Sequence, residues 1–197
     1  MSEALYAALR DNPFYIALSD SIPTRINAHD RVLRYLDYSI AEARRFGRLF
    51  APQGRPVGAS VWSLPLQPEQ MTRKAQDKAA FIQSELGADA CRVYSEMSVA
   101  MAERTNSLIE ESDWYLSILG VLPEHQGKGL GRDLVRPVLE EADRIPVASY
   151  LETFSPRNMS FYSRLGYQTT GTFTEPVTGE DYWVMRRLPP VCAAADG

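Results

Sequence analysis

Nine consecutive residues, Trp114 to Leu122, constrain this 197-residue chain more than any others. They read Trp-Tyr-Leu-Ser-Ile-Leu-Gly-Val-Leu, apolar almost throughout. A strand of that composition belongs inside a sheet, covered on both faces. A loop over 123–127 follows, and then a helix over 128–144 that turns Leu130, Leu134, Val135, Val138, Leu139 and Ala142 to one side. Pro137 lies within that helix and should bend it. A strand feeding a helix through a short loop places the chain in the α/β class.

Hydrophobic period fills in the rest. Helices are expected over 3–10, from Asp30 to Gly47 (Leu33, Leu36, Ile40 and Ala43 inward), over 69–86 (Ala75, Ala79, Ile82, Leu86) and over 89–109 (Ala90, Val93, Met97, Ala100, Arg104, Leu108). Segments 48–51 and 57–64 flank a Pro/Gly turn and read as a hairpin. Glu110, Glu111 and Asp113 read as a solvated connection. Val147–Phe154 is a strand, Ser155-Pro156 opens a helix that Gly166 closes, and 167–174 and 181–187 form a last hairpin. The expected architecture is three-layered, a central mixed and mostly antiparallel sheet between helices. One domain would span 1–188, with a loose tail over 189–197.

Composition narrows the function. The net charge is -4 and there is no Lys/Arg run, so neither nucleic acid nor an anionic membrane is an expected partner. No stretch approaches the roughly 20 apolar residues of a membrane span. Cys91 and Cys192 are far apart, and only His29 and His125 could add imidazole, so no metal site is expected. Two cysteines and an N-terminus without a signal-like apolar core point to the cytoplasm.

The loop after the apolar strand carries the chemistry: His125-Gln126-Gly127-Lys128-Gly129-Leu130-Gly131-Arg132. Glycines let backbone approach a ligand, and the free N–H groups of a helix start attract phosphate. A P-loop would need Gly-Lys-Ser/Thr, which is absent. A dinucleotide fingerprint matches only in part, with Arg132 or Leu134 at the third glycine position, although Glu152 stands where a ribose-binding acid would.

Gln126, Gly129 and Gly131 fit Gln-x-x-Gly-x-Gly in full, and Asn158, Tyr162 and Gly166-Tyr167 form a second block downstream. Together these resemble the acetyl-CoA-binding blocks of the GNAT superfamily of N-acetyltransferases, over about 110–188. The run from Leu119 to Tyr167 is most similar to the puromycin N-acetyltransferase branch. The resemblance implies transfer of an acetyl group from acetyl-CoA directly to a primary amine, most simply on a small molecule, by a monomer or homodimer. It implies a cofactor site in which Leu119, Gly120 and Val121 pair with the pantetheine arm. Gln126, Gly127, Lys128, Gly129, Leu130, Gly131 and Arg132 hold pyrophosphate, and Asn158 and Tyr162 close the arm. It implies Tyr162 as general acid. For the base it leaves Glu152 and Glu96 as carboxylates, and Tyr115 and Ser117 as relay positions on the acceptor side. Each has a bland alternative: Tyr162 as core, Glu152 as an ion-pair partner, Asn158, Glu96, His125 and Lys128 as solvated surface. A peptide or protein amine, or a CoA-binding module without catalysis, stays open. The family's first strand is missing from this sequence, and residues 14–18 could fill its place.

Overall fold

The computed structural model describes residues 1–23, 27–54 and 56–190. Two short helices open the chain, α1 (Ser2–Leu9) and α2 (Pro13–Asp20), followed by the long α3 (Ala28–Phe46). The hairpin β1 (Gly47–Phe50) and β2 (Gly58–Ser63) comes next, then the helix pair α4 (Pro68–Glu85) and α5 (Ala88–Thr105). The rest alternates: β3 (Trp114–Val121), α6 (Leu130–Arg144), β4 (Ser149–Thr153), α7 (Pro156–Arg164), β5 (Gln168–Thr174) and β6 (Asp181–Arg187). The six strands form one sheet in the order β1-β2-β3-β4-β6-β5, parallel only between β3 and β4.

Helices cover both faces. On one, α6 and α7 bury Val135, Val138, Leu139, Ala142 and Tyr162 against Trp62, Trp114, Leu116, Leu151 and Met185. On the other, α1, α2, α3 and α5 pack Leu5, Leu18, Val32, Leu36 and Ala90 against Ala59, Val61 and Ile118. The expected three-layer mixed sheet is thus the observed one.

Among the described residues no strand precedes α3, so the sheet lacks the strand the resemblance calls for. Residues 14–18 do not replace it. They lie in α2, where Asn12 caps the helix by accepting from the Phe14 N–H and Pro13 takes the first position. Four other expectations shift. Helix α3 starts at Ala28, and Val32, not Leu33, enters the core. On α4 the alanines Ala75 and Ala79 are exposed, and Lys74 and Lys78 face inward instead, against Glu42. Asp113 is buried at 6% exposure and forks onto Arg186 through two hydrogen bonds, which ties the start of β3 to β6. On α5 the buried stripe runs Ala90, Val93, Met97, Met101, Thr105, leaving Arg104 exposed. The tail expectation, including Cys192, falls outside the described residues from 191 onward.

Candidate active site at the parting of β3 and β4

Strand β3 carries an extra residue. Leu116 lies opposite Trp62 and Ile118 opposite Val61, leaving Ser117 without a facing partner on β2. This is a β-bulge, and it switches which face each later side chain takes. Before it, Trp114 and Leu116 join the α6/α7 core; after it, Ile118 joins the other core and Leu119 packs against the α6/α7 side. Simple alternation along the strand therefore fails at Ser117.

The same strand parts from β4. Their pairing comprises Trp114 with Ser149 and Tyr115 with Tyr150, and stops there, although β3 continues to Val121. From Leu116 onward the β4-facing backbone groups of β3 have no strand partner. They are the kind of edge that an extended ligand pairs with. Gly120 lies on this stretch because α1 crosses it closely: a Cβ there would meet Leu5 Cδ2 at 2.8 Å.

At the far end of β3 stands the glycine loop. The Gln126 amide donates to the Val121 carbonyl at 2.9 Å, fastening the loop to the strand. Gly127 and Gly129 take φ of 74° and 85°, with nothing within 4 Å of where a Cβ would stand. Gly129 is the N-cap of α6, so the first N–H groups of a 15-residue helix open onto that free space. Gly131 is needed for a different reason, since a Cβ there would press on Phe161 of α7 at 3.2 Å. Leu130 is half-buried, and Lys128 and Arg132 are exposed, with the Lys128 ammonium donating to the Glu124 carbonyl. Loop, open strand edge and helix start fit a diphosphate with an extended arm, as CoA has. Asn158 is exposed in the first turn of α7. Tyr162 is buried beneath it at 8% exposure, between Phe161 and Tyr167, and burial pushes its phenol up to about 12.

On the sheet's other face, beside the parting, lies Glu152. The Tyr115 hydroxyl donates to Glu152 Oε2 at 2.9 Å, and the Thr105 hydroxyl donates to Oε1. Tyr115 stacks on Tyr150 with ring centroids 4.7 Å apart. Burial raises the Glu152 carboxyl above its ordinary 4.5, and the two hydroxyl donors only partly offset that. Among the described residues no cation pairs with it. The neighbouring Tyr182 hydroxyl is buried with no hydrogen-bond partner in bonding geometry among the described residues; burial first and Glu152 second push its phenol up to about 12, against a smaller lowering by Thr105. Of the expected acceptor-side residues, the structure thus joins Tyr115 to Glu152. Ser117 instead spends its hydroxyl on the Val61 carbonyl at 3.0 Å, and Glu96 lies on the solvent side of α5, paired with Arg92. Thr105, Tyr150 and Tyr182 were missed by sequence reasoning; only the alternation of β4 could have pointed to Tyr150.

Comparison with known proteins bears on the fold and on the segment that carries the site. Residues 90–169 match the family model described as acetyltransferase (GNAT) domain. An uncharacterized N-acetyltransferase of Schizosaccharomyces pombe is 29% identical over 79 residues, 39% of this chain and 32% of that protein, so the match spans about a third of the relative. A solved structure from Corynebacterium glutamicum, named as histone acetyltransferase HPA2 and related acetyltransferase, matches with a TM-score of 0.67 at 19% identity, covering 98% of this chain and 92% of that one. Arylalkylamine N-acetyltransferase 2 of Aedes aegypti matches with a TM-score of 0.57 at 16% identity, over 80% of each chain. The two structural likenesses show the fold. The matched segment, residues 90–169, is similar to the GNAT acetyltransferase domain, and it lies within a fold shared with those solved structures. Among the described residues no group of His, Cys, Asp or Glu could hold a metal, and no helix is long and apolar enough to cross a membrane.

Proposed function

We propose that this chain is an N-acetyltransferase that moves an acetyl group from acetyl-CoA to the primary amine of a small molecule, by direct transfer while both are bound. The observation that carries the reading is the partly buried carboxylate of Glu152 beside the parting of β3 and β4, with tyrosines around it and no paired cation among the described residues. Acetyl-CoA supplies the activated acyl group as a thioester. The backbone of Leu119, Gly120 and Val121 holds the arm as an added strand would. The amides from Gln126 to Arg132 hold the diphosphate, and Asn158 and Tyr162 border the arm.

Glu152 is the base in this reading. A free alkyl amine is largely protonated near neutrality, with a pKa of about 10. Loss of water around an amine brought against Glu152 disfavours the ammonium and lowers that value, while burial raises Glu152, so the gap narrows from both sides. Tyr115 keeps the carboxylate aimed. Tyr162 retains its proton far above neutral pH, so it serves a departing thiolate as a hydrogen-bond donor rather than as a full proton source. Holding donor and acceptor together removes the need for a nucleophilic Ser or Cys.

The rings of Tyr115, Tyr150 and Tyr182 beside Glu152 suit the apolar part of a small amine. The likeness of 119–167 to the puromycin branch and the fold shared with an arylalkylamine acetyltransferase support the same choice. The test is acetyl-CoA-dependent thiol release against aryl- and alkylamines, aminonucleosides, polyamines and short peptides. Turnover with small amines is expected. Turnover with peptides alone would overturn the acceptor class, and tight acetyl-CoA binding without any turnover would overturn catalysis.

A further inference from the structure

The catalytic carboxylate, on the reading above, is not held by the β3–α6–β4 segment alone. Its Oε1 is held by Thr105, the last residue of α5, 47 positions earlier in the chain. Thr105 is 2% exposed, and it ends the buried stripe of α5 that begins at Ala90. That helix belongs to the pair inserted between β2 and β3, and it also packs on α2, whose Tyr15 lies on the side of Tyr115.

Thr105 and Tyr115 each take one carboxylate oxygen from different elements, so the group cannot rotate without breaking a bond. We propose that Thr105 is a positioning residue for Glu152, through which the inserted helix α5 fixes the orientation and protonation of the base. The proposal rests on the assignment of Glu152 as base.

The groups facing Glu152 from the packed elements are the Tyr115 phenol on β3, the Tyr150 phenol on β4, the Tyr182 phenol on β6 and the Thr105 hydroxyl on α5. The phenols are all raised by burial and stay neutral across the working range. Glu152 is the carboxyl of this group, raised by burial, and the two hydroxyl donors are what favours its charged form. Removing one donor disfavours the carboxylate, so its pKa must rise further. By the usual strength of a hydrogen bond to a charged group, the shift is about one unit. Serine preserves the donor; valine preserves the shape and removes it.

The experiment is a carbon-13 carboxyl titration of Glu152 in the free protein, for wild type, Thr105→Val and Thr105→Ser, beside the pH profile of kcat/KM. In Thr105→Val the Glu152 titration and the acid limb of the profile should both move up by about one unit. Thr105→Ser should restore both. An unmoved titration in Thr105→Val, or a serine variant that behaves as valine does, would overturn the proposal. A titration that moves while the acid limb stays would overturn Glu152 as base, and with it the role proposed for Thr105, leaving only a hydrogen bond.

Discussion

Two partly buried acidic residues on the same side of the sheet are treated in opposite ways. Glu42, on α3, is neutralised: Lys78 lies at 2.9 Å and Lys74 at 3.7 Å, both projecting from α4. The Lys78 ammonium also sits about 6 Å from the rings of Tyr35, Tyr38 and Tyr94. Burial opposes its charge, but the surrounding phenols and Glu42 more than offset that and hold its pKa above the ordinary value. Among the described residues Glu152 has no paired cation, and two neutral hydroxyls donate to it. The ion pairs of Glu42 join α3 to α4, whereas burial pushes the Glu152 carboxyl up against hydroxyl donors alone. Burial alone does not mark a functional acid. What stands beside it does.

This contrast is sharpened by separating stability from activity. Glu42→Gln strands Lys74 and Lys78, and breaking a buried pair in this way should lower the unfolding free energy by about 3–5 kcal/mol in urea titration while leaving kcat/KM near wild type. The double change Glu42→Leu with Lys78→Met should recover most of that loss, since apolar replacement of a whole pair is close to neutral. A large activity loss in Glu42→Gln at full stability would break the contrast.

On the opposite side of the site, Gly129→Glu places a carboxylate at a left-handed position facing the expected diphosphate. Acetyl-CoA affinity by calorimetry should fall about a hundredfold, or roughly 2.7 kcal/mol. An unchanged affinity would remove the loop from the cofactor site. Tyr162→Phe keeps the ring packing and removes one hydrogen bond, so kcat should fall about tenfold with acetyl-CoA affinity little altered. Smallest of all, Glu96→Gln breaks an exposed pair with Arg92 and should change neither thiol release nor stability by more than about 0.5 kcal/mol.

The readable parts of this molecule are those governed by local period and local chemistry. Helix α6 buries Leu134, Val135, Val138, Leu139 and Ala142 as its spacing implies, and Gly127, Gly129 and Gly166 take the positive φ their positions call for. The hairpins and the glycine loop follow for the same reason. What stayed hidden depends on partners distant in sequence. The bulge at Ser117 is invisible in a run of apolar residues, because alternation carries no signal where both faces are covered. The inward turn of Lys74 and Lys78 on α4 depends on Glu42, more than 30 residues away in α3. Thr105 is one small polar residue at a helix end, and nothing local ties it to a glutamate 47 residues away. The N-terminal segment misled for another reason: Phe14 to Leu18 has strand-like composition, but the Asn12 cap and Pro13 start a helix there.

The most direct test of the account compares wild type with Glu152→Gln in thiol release across pH. The Glu152 pKa is raised on folding, so its ionisation weakens the fold as pH climbs past 4.5 and through the raised value, and that cost persists at neutral pH. Glutamine removes the charge and with it the cost. The expected result is a variant that melts at or above the wild-type temperature, binds acetyl-CoA as well, loses about 10²–10⁴ in kcat/KM and has no acid limb. A Glu152→Gln protein that is folded, binds acetyl-CoA and turns over an amine at the wild-type rate with the wild-type pH profile would contradict it.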